Sequence, residues 1–216
     1  MIRAVCIHHT DRPTEADWVA RGGWAYWGPA LARYYRSLGW TAMPHVFAAP
    51  DGWHVLWPLD QDGRGVGGGY LEPGLRHIEI CGNYNERLPS GETLRHALDA
   101  TVTIQRLGGL GPGAVTHHTA VVGPGVTECP GAMLMANWDW FTGLVAAEWW
   151  RRKVAETITA ARWNTEQGIR ELEAAIARQE AAVAAAQAQL DALRATRARL
   201  VEPVVPRLYA AEDVAQ

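Results

Sequence analysis

The sequence predicts an α/β protein with a mixed central sheet flanked by helices, followed by a long C-terminal helical coiled-coil region. Three observations carry this. Short apolar, β-branched runs alternate with stretches of helical periodicity from residue 2 to about residue 150. After about residue 152 the composition shifts to Ala, Glu, Gln, Arg and Leu, with Gly168 the single glycine between 154 and 202. Within that stretch an apolar repeat keeps a heptad spacing. The expected division is therefore residues 1–152 and residues 153–216.

The elements follow in order. Residues 2–8 are short, apolar and β-branched and read as a buried strand. From Thr14 to Gly39 the pattern is helical: Pro29 suits a first helical position, Leu31, Tyr34, Tyr35 and Leu38 share a face, and Gly39 ends it. His45–Ala49, a Pro50-Asp51-Gly52 turn and Trp53–Trp57 read as a hairpin. Residues 61–74 are Gly-rich and irregular. His77–Cys81 reads as another strand, ended by Gly82-Asn83. Pro89-Ser90 opens a helix with Leu94, Ala97, Leu98 and Val102 on one side, stopped by Gly108-Gly109. Val115 to His117 is a short strand, and a helix is expected after Pro130-Gly131 through Trp138–Trp150. In the tail, Ile169, Leu172, Ile176, Gln179, Val183, Ala186, Leu190, Leu193, Arg197 and Leu200 alternate spacings of three and four. Such a stripe needs cover, from a second copy of the chain or by folding back on Val154–Trp163.

Composition narrows the function classes. At 216 residues, with 48% apolar and 20% charged residues, the chain has an ordinary globular make-up. A formal net charge of −3 gives no electrostatic case for nucleic acid. No apolar run approaches the ~20 residues that cross a bilayer, so membrane insertion is not expected. The first eight residues leave no room for a signal peptide ahead of His8, and the expectation is a cytoplasmic protein. Cys6, Cys81 and Cys129 are an odd set without framework spacing, which argues against disulfides. Tryptophans number eleven; such rings stack on sugars or partners, or pack in cores.

The chemistry gathers at two places. Gly113-Ala-Val-Thr-His-His118 ends an apolar run in two imidazoles, and the loop after it closes on Thr127-Glu128-Cys129-Pro130-Gly131. Ile7-His8-His9-Thr10 ends another apolar run. Neutral His and thiolate are ligands that Zn²⁺ favours, and three of them leave a fourth tetrahedral position open for water. From spacing alone, a zinc site and a chance grouping both stand.

Ile7-His8-His9-Thr10, Pro44-His45-Val46-Phe47 with Asp51-Gly52, Ile78-Glu79-Ile80-Cys81-Gly82-Asn83-Tyr84, His117-His118, and Thr127-Glu128-Cys129-Pro130-Gly131 succeed one another along residues 2–150. Together they resemble the zinc-dependent N-acetylmuramoyl-L-alanine amidases, the family of phage endolysins and peptidoglycan recognition proteins. The resemblance implies bound Zn²⁺ on His8, His117 and Cys129. It implies hydrolysis of the amide between N-acetylmuramic acid and L-alanine in bacterial peptidoglycan, as a lysin held in the cytoplasm until release. Glu79 matches a strand glutamate that serves as general base or orients the water, and His45 and Thr127 match positions near the oxyanion. Trp53, Trp57 and Tyr70 fall in segments expected to rim the groove and stack on glycan. The chain departs from the pattern in three ways. The loop from His117 to Cys129 is longer than usual, which leaves His118 a rival ligand. Pro44 stands where a tyrosine is common, and Thr127 where some members carry lysine. An alternative is a wall-binding or structural module without turnover. The tail lies outside the resemblance, and homo-oligomerisation through its coiled coil is the expectation there.

Overall fold

A computed structural model of the chain describes residues 1–65, 72–160 and 166–201. Its centre is a five-stranded mixed sheet in the order β3-β2-β4-β1-β5, built from β1 (Ala4–His9), β2 (Val46–Ala49), β3 (Gly52–Val55), β4 (Leu75–Ile80) and β5 (Val115–His117). The β2–β3 hairpin is antiparallel, and β2, β4, β1 and β5 run parallel. The expected strands all form.

Alternation along these strands sorts the two faces of the sheet. Val5, Ile7, Val46, Ala48, Ile78 and Ile80 turn towards α3 (Gly91–Leu107) and α6 (Trp138–Ala160), whose Ala97, Ala100, Ile104, Phe141 and Val145 complete the main core. Phe47 and Ala49 turn to the opposite face and pack with Trp18, Leu31, Tyr35 and Met43. Trp18 lies on α1 (Glu15–Ala20), and Leu31 and Tyr35 lie on α2 (Trp24–Ser37). Cys6, His8, His77 and Glu79 have the parity of this second face, and all four are buried.

The helical stretch expected between Thr14 and Gly39 forms two helices. Gly22 and Gly23 adopt positive φ (86° and 64°) between them, a conformation that glycine takes without steric cost. Pro29 therefore sits inside α2 rather than at its start. Asp51 of the hairpin turn accepts from the Trp24 N–H at 3.0 Å and from Trp18 Nε1 at 2.7 Å. That carboxylate thereby satisfies an N–H at the start of α2, where helix amides lack partners of their own. Ser90 caps α3 through the Thr93 N–H, and Thr14 and Asp17 make a reciprocal cap on α1. After β5 come two short helices, α4 (His118–Val122) and α5 (Ala132–Ala136).

The tail is α7 (Glu166–Val201), which runs antiparallel along α6. Gly143 lies against Ala186 and Gln189, and Arg178 covers the ring of Trp150 at 4.7 Å. The expected domain boundary at residue 152 falls inside the unbroken α6. The face of α7 that α6 covers takes in only part of the expected stripe. Gly168, Leu172, Ala175, Gln179, Ala182, Ala186, Gln189 and Leu190 are the covered or half-covered positions. Ile169, Ile176, Val183 and Leu193 stay exposed. Small residues let the two backbones approach, whereas Ile169, Ile176 and Val183 stand about a quarter-turn away. The side chains of Arg197 and Leu200 lie outside the described residues, as do residues 202–216 of the expected tail.

Candidate metal centre

Parallel strands deliver their carboxyl ends to one edge of the sheet, where open α/β sheets place ligands. Here those ends are His8 and His9 on β1, Glu79 and Ile80 on β4, and His117 at the end of β5. A cavity of about 770 Å³ opens over this edge. His8, His9, Glu79, His118, Thr127 and Cys129 line it on one side, and Trp27, Tyr34, Tyr35 and Trp40 on the other.

Ligand atoms of His8, His118 and Cys129 lie within 4.8 Å of one another. His8 Nδ1 stands 3.7 Å from Cys129 Sγ. Tetrahedral zinc with ordinary Zn–N and Zn–S bonds would set that separation at about 3.6 Å. The donor set and its spacing therefore fit zinc. Hydrogen bonds hold the cysteine: Cys129 Sγ accepts from the His9 N–H at 3.4 Å, and the Cys129 N–H donates to Thr127 Oγ1 at 3.1 Å. Burial and the nearby Glu79 push the Cys129 thiol above its ordinary pKa, against the His9 N–H. Burial also keeps His8 well below the ordinary histidine value, so it stands as a neutral donor.

His117 is placed elsewhere. Its register partner on β1 is Ile7, whose side chain enters the main core, and the His117 ring meets Trp138 of α6 edge-on at 4.7 Å. Its Nδ1 accepts from the Ala120 N–H at 3.1 Å and caps α4. One residue further, the chain has the opposite parity, and His118 faces His8 with ring centroids 4.8 Å apart. His9, beside the site, spends Nδ1 on the Tyr84 N–H at 3.2 Å.

Glu79 is the register neighbour of His8 and lines the same cavity. Burial alone raises its carboxyl to about 8, so in the metal-free chain it carries a proton at neutral pH. Thr127 lies at the cavity wall beside Cys129. His45 lies behind the sheet edge rather than in the cavity: its Nδ1 accepts from the His77 N–H at 3.0 Å, and its Nε2 donates to Gln61 O at 3.1 Å. Both ring nitrogens are thus spent on backbone.

The expected aromatic rim is also elsewhere. Trp53 pairs in register with Ala48, faces α3 and donates Nε1 to Asp99 at 2.8 Å. Trp57 donates Nε1 to Asp62 O at 3.1 Å, away from the cavity. Tyr70 lies outside the described residues. The cavity's aromatic wall comes from α2 and the turn after it. Tyr34 and Leu38, read in the sequence as sharing a helix face with Leu31 and Tyr35, are exposed at its mouth.

No protein-family model and no curated protein matches the chain. Among solved structures, the chain is similar to the catalytic domain of XlyA, with 21% identity and a TM-score of 0.47 over 67% of this chain and 86% of that one. It is similar to Drosophila PGRP-LB, at 20% identity and a TM-score of 0.47 over 63% of this chain and 78% of that one. A mutant endolysin from Bacillus subtilis matches at 21% identity with a TM-score of 0.49, over 67% and 85% of the two chains.

Proposed function

We propose that the chain is a zinc-dependent peptidoglycan hydrolase that cuts the amide between N-acetylmuramic acid and L-alanine, in the manner of a phage-type endolysin. One observation carries the reading: two imidazoles and a cysteine sulfur converge at zinc spacing on a cavity that also holds a buried carboxyl. The ordered motifs from His8 to Gly131 support the same bond specificity. His8, His118 and Cys129 would hold the metal, with His118 in the place first expected for His117.

Zinc held there would supply a Lewis acid for the scissile carbonyl and would make water more acidic, towards a pKa of ~7. A dication close to Glu79 would favour its carboxylate over its acid form. Glu79 then takes the proton from the attacking water and returns it to the departing amide nitrogen. Thr127, whose Oγ1 already holds the Cys129 N–H, keeps the thiolate loop in place at the cavity wall. His45 serves from behind, holding the β4 backbone at His77. Trp27, Tyr34, Tyr35 and Trp40 offer the glycan and stem peptide an apolar wall.

A second reading, wall binding without turnover, is favoured by one observation: His45 has no ring nitrogen left for substrate. Digestion of purified cell walls separates the two. An amidase frees stem peptides with N-terminal alanine, seen by mass spectrometry, and generates no new reducing sugar ends. Wall sedimentation with the protein bound and no peptide released establishes the binding module instead.

No helix among the described residues is long and apolar enough to cross a membrane. We further propose that the exposed stripe on α7 pairs with a second copy of the chain. Ile169, Ile176 and Val183 repeat every seven residues, with Glu173 and Glu180 beside them and Arg194 towards the other end. Antiparallel pairing about Val183 brings Arg194 of one copy to Glu173 of the other, so sign complementarity favours a symmetric dimer.

A further inference from the structure

Behind His8, on the side away from Cys129, lies a buried polar chain that the proposed hydrolysis does not use. His8 Nε2 is 3.0 Å from His77 Nδ1, and both rings are buried. His77 Nε2 is 2.6 Å from Glu72 Oε2, bent away from ideal hydrogen-bond geometry. Neither of those two atoms has a hydrogen-bond partner, and both are sealed from solvent, so they face chiefly each other. Gly63 and Gly65 press on the histidines from outside: a Cβ at Gly65 would come within 2.3 Å of His77 Nδ1, and one at Gly63 within 2.1 Å of the His45 ring. His45 stacks on His77 at 5.7 Å. A buried, unsatisfied polar pair costs free energy unless something is gained from it.

We infer that Glu72 and His77 are positioning residues that dictate which nitrogen of His8 is presented to the metal; this rests on the zinc reading above. Each neutral imidazole has a single N–H. A carboxylate at His77 Nε2 favours the proton there, because the opposite tautomer would aim a lone pair at an anion. His77 Nδ1 is then an acceptor, which calls for the proton of His8 on Nε2. The lone pair of His8 is left on Nδ1, the atom 3.7 Å from Cys129 Sγ. Orientation passes from Glu72 through two rings to the ligand atom, with no change in protonation needed at any step. Outer partners of ligating histidines commonly act in this way.

The same geometry bears on a competing cluster. Cys6, His8 and His77 also bring ligand atoms within 4.8 Å of one another. A metal there would need the very lone pairs, His8 Nε2 and His77 Nδ1, that the chain joins by a hydrogen bond. The relay thus assigns the rear trio to hydrogen bonding and the front trio to the metal.

The test uses the full-length protein labelled with ¹⁵N-histidine, with and without zinc, together with chelator competition for zinc affinity. In metal-free protein the His8 signals should show Nε2 protonated and Nδ1 bare, and zinc should shift Nδ1. Glu72→Gln and His77→Gln should each weaken zinc binding by roughly 10- to 100-fold, and the double variant should be no weaker than His77→Gln alone. Circular dichroism of the metal-free variants reports whether the fold survives. His8 protonated on Nδ1 in the metal-free wild type overturns the relay whether or not zinc binds. Unchanged zinc affinity in folded Glu72→Gln and His77→Gln, with binding still dependent on Cys129, overturns the relay and leaves the metal reading standing. Zinc that survives Cys129→Ser and is lost in His77→Gln places the metal in the rear trio and overturns both. Zinc that fails to bind the wild type, with Nε2 protonated, overturns the metal reading alone.

Discussion

The carboxyl edge of the sheet and the α6–α7 hairpin solve opposite problems with opposite residues. At the sheet edge, His8, His45, His77 and Glu79 are polar and buried, and the imidazoles hold one another and the backbone in a fixed pattern. In the hairpin, alanine and glycine settle the contact, and branched apolar side chains are left outside. Identity is therefore unforgiving at the first and loosely set at the second. A buried polar group stripped of its partner incurs its full desolvation penalty, whereas an exposed aliphatic residue on a helix costs little to replace.

The largest effect expected is at the ligands. Cys129→Ser and His118→Ala should each lose stoichiometric zinc and more than ~100-fold of lytic activity, beyond the scale for losing an outer partner of a ligand. His117→Ala should keep its zinc, because that ring caps α4 and packs on Trp138. Metal analysis of the three purified variants decides it: full zinc in His118→Ala together with none in His117→Ala would restore the first assignment. Next comes Glu79→Gln, expected to hold zinc and lose ~10²- to 10⁴-fold in rate, measured as stem peptide released per minute. Turnover near that of the wild type would leave Glu79 a buried strand carboxyl and nothing more.

How far the sequence reached can be read from these residues. Strand positions, the helix cap at Ser90, and the convergence of His8, Glu79 and Cys129 on one edge were legible, since motif and periodicity agree. The choice between adjacent histidines was legible in principle. Val115 faces the main core, so His117 two residues on shares that side and His118 takes the other. Parity also places Trp53 under α3, where its strand position opposite Ala48 puts it. What could not be read was tertiary: that α2 turns Tyr34 and Leu38 over the cavity, or that Glu72 reaches His77 from beyond a glycine-rich segment. In the tail the heptad was visible and its covered face was not. Leu172, Gln179 and Ala186 serve either register, and only the partner helix selects between Ala175 and Ile176.

Acid should separate the two regions. Burial holds His45 down to about 4, from the ordinary 6.5. A depressed folded pKa gives stability that is present above 6.5 and lost as pH falls from there through 4, worth up to about 3 kcal/mol for the whole shift. Where α6 meets α3 the sign is the same and the window lower. Burial pushes Asp99 and Glu148 up, but hydrogen bonds from Arg152 to both, with Trp53 on Asp99 and Arg151 on Glu148, outweigh it and hold the carboxyls below their ordinary range. Their contribution is present above about pH 4 and fades only beneath it. Glu79, held up at about 8, works in the opposite direction between pH 8 and 4.5, so urea unfolding of metal-free Glu79→Gln protein, at steps from pH 7.5 to 3.5, should show stability falling first between 6.5 and 4. A flat profile over that interval would mean that the imidazoles behind the site are not sealed from solvent as the geometry has them.

The smallest effect on the single chain, and the sharpest use of the comparison, lies in two neighbouring residues of α7. Ala175 is buried against α6 at 1% exposure, and Ile176 stands 38% exposed beside it. Enlarging Ala175 to leucine forces atoms into a closed contact and should cost ~1–3 kcal/mol. Replacing Ile176 and Val183 with serine removes side chains that are at least a third in water, and should change the thermal stability of an isolated chain by less than the Ala175 change, about 1 kcal/mol or under each. The same double serine variant should abolish self-association seen by sedimentation at micromolar concentration, since the stripe is what a second copy would cover. The hairpin's own packing predicts only the first of these results, and the dimer proposal requires the second. A wild-type chain that sediments as a monomer, with Ile176→Ser and Val183→Ser silent, would leave α7 as a strut for α6 and remove the dimer. Large destabilisation of the monomer by the serine pair would instead show that α6 meets the stripe the heptad first indicated, with Ala175 turned outward.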